Sequence, residues 1–108
     1  MIEVWSRVPD GATRRIVVIG GIHGNEPVSP PIVRSLVEVA YPDDVAIWLV
    51  PALNADGVAA GTRANATDVD LNRNFDWTWR RSDGGPAPVS EPETLAATSL
   101  INVVQPSL

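Results

Sequence analysis

No cysteine occurs among the 108 residues, which excludes disulfides and thiolate metal sites and leaves the redox compartment open. Histidine occurs once, at position 23, so metal ligation by this chain has a single imidazole to draw on. Positive charge is scarce as well: 8 Lys and Arg stand against 13 Asp and Glu, for a net charge of -5. That balance argues against nucleic acid or an anionic membrane as the main partner. No apolar run is long enough to span a bilayer. The first residues, Met1-Ile2-Glu3-Val4-Trp5, lack the basic region and long apolar run of a signal peptide. A soluble, cytoplasmic protein is the expectation. Apolar content is ordinary and charge moderate, so a globular fold is expected rather than disorder. The length suits a modest core, and no repeat or linker divides it; residues 1–108 are expected to form one domain.

Ile2 to Val8 alternates in part between apolar and polar residues, as a strand with one exposed face does. Pro9-Asp10-Gly11 is a turn signal. The second strand, Arg15–Ile22, contains the run Ile16-Val17-Val18-Ile19 and reads as buried on both faces. Ser29-Pro30-Pro31 then opens a helix, with Ser29 as a candidate cap. Ile32, Val33, Leu36, Val37 and Ala40 share one face, which predicts a helix to about Ala40. Val45–Leu53 is the third strand. Strand, helix and strand in this order imply a right-handed parallel crossover. The N-terminal strand is expected to pair antiparallel with Val45–Leu53.

From Asn54 to Ser90 no periodicity is evident, and so long an irregular run in a compact domain points to function. Ser90-Glu91-Pro92-Glu93 has the form of a capping box, and Ala97, Leu100, Ile101 and Val104 follow at helical spacing. The fold read from these elements is α/β, with about three strands and two helices.

Two stretches carry candidate chemistry. Gly20-Gly21-Ile22-His23-Gly24-Asn25-Glu26 sits at the end of an apolar strand. A histidine with a glutamate three residues on can place both ligands on one metal; it also describes a loop histidine beside a surface glutamate. The second stretch runs from Arg63 to Phe75 and sets Arg63, Arg73 and several amides in an irregular loop. Guanidinium groups match carboxylates and stabilise oxyanions. Asparagines also suit polar turns, but Val69, Leu71 and Phe75 alternate with polar residues as if the loop were half buried.

Taken together, His23-Gly24-Asn25-Glu26, Asn54-Ala55-Asp56-Gly57, Arg63-Ala64-Asn65, Val69-Asp70-Leu71-Asn72-Arg73-Asn74-Phe75 and Ser90-Glu91-Pro92-Glu93-Thr94 resemble the zinc metallocarboxypeptidases of the carboxypeptidase A type, in content and in order. Within that family the chain is most similar to the murein peptide amidase branch, which cuts the γ-D-glutamyl–diaminopimelate bond of cell-wall peptides. The resemblance implies zinc as cofactor, with His23 and Glu26 as two of its ligands. It implies that Arg63 polarises the scissile carbonyl and holds the oxyanion. Asn72 and Arg73 would bind the free carboxylate of a peptide substrate. Asp70 would accept a hydrogen bond from His23 and fix its ring.

The family also has a third zinc ligand, a histidine, and a glutamate base, both beyond the motifs matched here. The resemblance therefore implies a truncated carboxypeptidase-like (phosphorylase/hydrolase-like) sheet, the N-terminal portion of the family fold, with catalysis by this chain alone not expected. The family strand that would lie beside Arg15–Ile22 is absent, which leaves an apolar edge open to pairing. A homodimer or higher oligomer through that edge is the expected solution. Two other readings remain: an aspartoacylase or succinylglutamate desuccinylase-like deacylase, and a non-catalytic fragment that self-associates.

Overall fold

A computed structural model describes residues 1–108. Three strands form one mixed sheet: β1 (Trp5–Arg7), β2 (Arg14–Ile19) and β3 (Val45–Val50), in the order β1-β3-β2. β1 pairs antiparallel with β3, Ser6 opposite Trp48, and β2 pairs parallel with it, Ile16 opposite Ile47. Both pairings are those the hydrophobic pattern predicts. The burial is not. β3 is the strand enclosed on both faces, whereas β2 is only half-buried. The reason is position: β3 has a neighbour on each side, and β2 lies at an edge.

The two faces of β3 serve two small cores. Ile47 and Leu49 point toward Val33 of α1 (Ser29–Ser35). Val50, on the opposite face, meets Leu53, Phe75 and Ala97. Ala97 belongs to the last helix, Pro92–Val104. Three helices are present rather than two. The additional one, α2 (Ala55–Ala60), is only six residues long and has a glycine inside it, too short for a periodic stripe to register. Its ends are nevertheless encoded: the Asn54 side chain caps it by accepting from the Gly57 N–H at 2.9 Å, and Gly61 closes it with a φ of 69°. The last helix is therefore α3.

Three local expectations are corrected. α1 ends at Ser35, and its apolar face continues only as a 3-10 turn, Leu36–Glu38. Ser29 does not cap it; its hydroxyl accepts instead from the Gly21 N–H at 2.9 Å, tying the start of α1 to the end of β2. Nor does the capping box form. Ser90 donates to the Glu91 carboxylate, and Glu93 is buried against Asn65, so neither is free to cap α3.

The outer edge of β2 is covered over part of its length by the same chain. Alternation along a parallel strand directs the Arg15 and Val17 backbone groups away from β3. Residues 105–108 meet them there. The Ser107 N–H donates to the Arg15 carbonyl at 2.7 Å, and the Val17 N–H donates to the Leu108 carbonyl at 3.0 Å. Arg15 Nε adds a bond to the Gln105 carbonyl at 3.0 Å.

Candidate functional site

β2 runs directly into the glycine turn that presents His23. Gly21 has a φ of 62°, and a side chain there would also collide with the backbone of Ala52. The sheet pairing continues past the strand ends, with Leu53 and Asn54 N–H groups donating to the Gly20 and Gly21 carbonyls, each at 2.9 Å. The turn therefore sits on a rigid strand end, which is why a buried histidine can be held in one orientation there.

His23 is 5% exposed. Its Nε2 lies 2.9 Å from Asp70 Oδ1, and its Nδ1 lies 3.3 Å from Glu26 Oε2. Carboxylates only accept and His23 faces one at each nitrogen, so the single proton of the neutral ring serves one of them; the shorter, buried contact to Asp70 favours Nε2–H and leaves the Nδ1 lone pair toward the exposed Glu26. Arg63 closes the arrangement. Its Nε donates to Asp70 Oδ2 at 3.2 Å, and its Nη1 is 3.5 Å from Glu26 Oε1. His23 and Arg63 thus alternate with Glu26 and Asp70 around a four-membered ring of charged and polar groups. Glu26 and Arg63 are partly solvent-exposed, while His23 and Asp70 lie beneath them.

Burial pushes the Asp70 carboxyl up, but the His23 hydrogen bond, the Arg63 charge and the Asn72 N–H more than offset it. The net position is below the usual aspartate range, so Asp70 is an anion at neutral pH. Its Oδ1 also accepts from the Asn72 N–H at 3.0 Å, capping the 3-10 turn Leu71–Arg73. That bond brings Asn72 and Arg73 to the same side of the fold as the ring of four. Asn72 joins through its backbone. The Arg73 guanidinium folds back onto the Asn72 carbonyl at 3.0 Å and makes no hydrogen bond or ion pair with His23, Glu26, Arg63 or Asp70. Beside the ring, Thr62, Arg63, Asp68, Asp70, Ser82 and Asp83 line a polar cavity of about 450 Å³.

The donor chemistry fits zinc as far as it goes. Two ligands at about 2.0–2.1 Å from a tetrahedral zinc stand roughly 3.3–3.4 Å apart. His23 Nδ1 and Glu26 Oε2 are at that separation. No group of three or more His, Cys, Asp or Glu side chains is placed to hold a metal; His23 and Glu26 come together as two candidate ligands.

Sequence reasoning missed the residues that hold these loops in place. Asn65 is buried; its Oδ1 accepts from the Thr67 and Val69 N–H groups, and its Nδ2 donates to Glu91 at 3.0 Å and Glu93 at 3.2 Å. Burial pushes the Glu91 carboxyl up, yet hydrogen bonds from Asn65, Thr67 and Ser90 bring it below its usual value without a cationic partner. Asn74 is fully buried and ties residues 84–94 to the Asn72–Arg73 turn. The available signal was weak: asparagines between alternating Val69, Leu71 and Phe75, which suit a half-buried loop and a surface turn alike.

A mixed α/β sheet thus presents a histidine and a glutamate at a strand end with an arginine beside them. The chain belongs to the zinc carboxypeptidase family, whose model matches residues 1–107. It is 30% identical to murein peptide amidase A of Escherichia coli K12 over 96% of this chain and 50% of that protein. The crystal structure of murein-tripeptide amidase from Escherichia coli O157 superposes with a TM-score of 0.68 at 31% identity, over 92% of this chain and 48% of the other. An aspartoacylase family protein from Mesorhizobium loti superposes with a TM-score of 0.72 at 35% identity, over 94% of this chain and 31% of the other. The chain spans about half the length of the murein peptide amidases it matches.

Proposed function

We propose that this chain carries the two-ligand half of a zinc hydrolase site acting on peptides with a free carboxylate. The carrying observation is His23, with Nε2 held by Asp70 and Nδ1 turned to Glu26 at 3.3 Å, beneath Arg63. His23 and Glu26 would hold the metal. When bound, zinc supplies a Lewis acid and an acidified water. Asp70 keeps the Nδ1 lone pair directed at the metal position by holding the proton at Nε2. Arg63, half-exposed above Asp70, is placed to bind a carbonyl oxygen and the negative charge that develops on it. The Arg73 guanidinium bonds only the Asn72 carbonyl, with Asp83 near enough to feel its charge but not ion-paired with it, which leaves its donors available to a substrate carboxylate. A catalytic zinc takes three protein ligands and an open position, so metal and carboxylate binding without turnover are expected of this chain alone.

The similarity to murein peptide amidases supports a cell-wall peptide as the carboxylate ligand. The 35% identity to an aspartoacylase family protein supports a second reading, an N-acyl amino acid. Calorimetric titration with zinc, then with a cell-wall tripeptide and an N-acyl aspartate, tests both. His23→Ala is expected to abolish measurable zinc binding, and Asp70→Ala to weaken it by about 10–100-fold. Arg73→Ala should remove peptide binding while leaving zinc affinity in place. Zinc affinity unaffected by His23→Ala would refute the metal reading. Binding of the N-acyl amino acid in preference to the peptide would favour the deacylase.

A further inference from the structure

We propose that Asn54 is a positioning residue that couples the loop carrying His23 to the loop carrying Arg63. The inference takes from the proposed function only that these two side chains work as a pair. Asn54 is fully buried, and its amide is used at both ends. Oδ1 accepts from the Gly57 N–H at 2.9 Å and caps α2. Nδ2 faces three carbonyls: Ala64 at 3.1 Å, Ile22 at 3.3 Å and Arg63 at 3.4 Å. Ile22 directly precedes His23, and Arg63 is itself the guanidinium carrier. No backbone hydrogen bond joins residues 20–26 to residues 61–66, so the Asn54 side-chain amide is the group that bonds to the main chain of both loops.

The chemistry explains the residue. Only an amide offers an acceptor toward a helix N–H and donors toward carbonyls from one planar group. Aspartate would keep the cap and set a carboxylate against three carbonyl oxygens. Serine would keep a cap but falls short of the far loop. α2 is thereby more than a connector: it anchors the side chain that sets the distance between two segments about forty residues apart in sequence.

The histidine ring reports this coupling directly. His23 is the only histidine, so its ring signals in long-range proton–nitrogen NMR spectra assign themselves. In the wild type at a pH where the ring is neutral, the shorter, buried hydrogen bond to Asp70 should make Nε2–H the dominant tautomer over Nδ1–H toward Glu26. In Asn54→Asp the Arg63 loop, whose guanidinium pairs with both Asp70 and Glu26, is no longer held in register with His23, and the tautomer preference should be lost while α2 and the fold are retained. Asn54→Ser should do the same and serves if the aspartate variant does not fold. Ile47→Val is the comparison, a destabilising change in the opposite core that leaves the Asn54 amide untouched. It should retain the wild-type tautomer. A wild-type tautomer in folded Asn54→Asp or Asn54→Ser overturns the proposal. So does an equal disturbance in Ile47→Val, which would assign the effect to stability. The readout needs neither zinc nor turnover. If His23→Ala leaves zinc affinity unchanged, the metal reading fails while this test stands.

Discussion

Gly24→Ala is expected to lower the free energy of unfolding by more than about 3 kcal/mol, at the upper end of overpacking costs. A Cβ built at Gly24 lies 1.9 Å from the carbonyl carbon and oxygen of Gly57. Those are backbone atoms of α2 and cannot swing aside as a side-chain tip would. Gly57 cannot retreat either, because it lies against the Asn54 amide, which approaches to 2.3 Å of its own ideal Cβ position. The His23 turn, α2 and Asn54 are therefore stacked with no spare volume. Urea unfolding followed by tryptophan fluorescence measures the loss. A change under about 1 kcal/mol would mean that the turn relaxes freely, contrary to the close packing described. Loss of zinc binding should accompany the change, since the turn carries both proposed ligands.

Asn74→Ala is expected to cost roughly 3–5 kcal/mol, the sum of several buried groups left without partners. The Asn74 Nδ2 donates to the Gly84 carbonyl at 2.7 Å, Ser90 Oγ at 2.9 Å and the Ala87 carbonyl at 3.2 Å. Its Oδ1 accepts from the Glu91 N–H at 3.2 Å and from the Thr94 hydroxyl. The segment it holds is strained: Val89 has a φ of 55°, unfavourable for a β-branched residue, and its N–H donates to the Asn74 carbonyl at 2.6 Å. Without the amide, residues 84–91 should relax. Amide hydrogen exchange should then accelerate across them and stay unchanged in β3. Asn74→Asp should fare no better, because it replaces the donor with a buried charge facing two carbonyls. Protection of residues 84–91 unchanged in Asn74→Ala would show that the Val89 conformation is held by other contacts.

The amount of structure legible in the sequence differed by element for identifiable reasons. The strands were legible because β-branched runs such as Ile16-Val17-Val18-Ile19 carry a signal within six residues. α3 was legible because thirteen residues suffice for a helical period. α2 was not, because six residues with an internal glycine have no face to repeat. The ends of helices misled most. Ser29, Ser90 and Glu93 have the composition of caps, but Ser29 and Glu93 found partners elsewhere in the chain, and Ser90 donates to the neighbouring Glu91 while accepting from Asn74. A cap competes with every other hydrogen-bond partner in reach, and tertiary packing chooses among them.

The candidate site divides along the same line. The sequence alone determined the α/β class and the pairing sense of the three strands, and it nominated the candidate side chains for metal and carboxylate chemistry. His23 and Glu26 were close enough in sequence for the pairing to be read directly. The family resemblance had already paired Asp70, forty-seven residues away, with His23; tertiary structure alone decided which nitrogen it meets and that Arg63 bridges Glu26 and Asp70. It also decided which asparagines are structural pins. Asn54, Asn65 and Asn74 differ little from surface turn asparagines in sequence, yet all three are buried with their amides engaged. Local propensity acts over a few residues, whereas a buried amide must find its partners wherever the fold brings them, because leaving it unpaired is too costly.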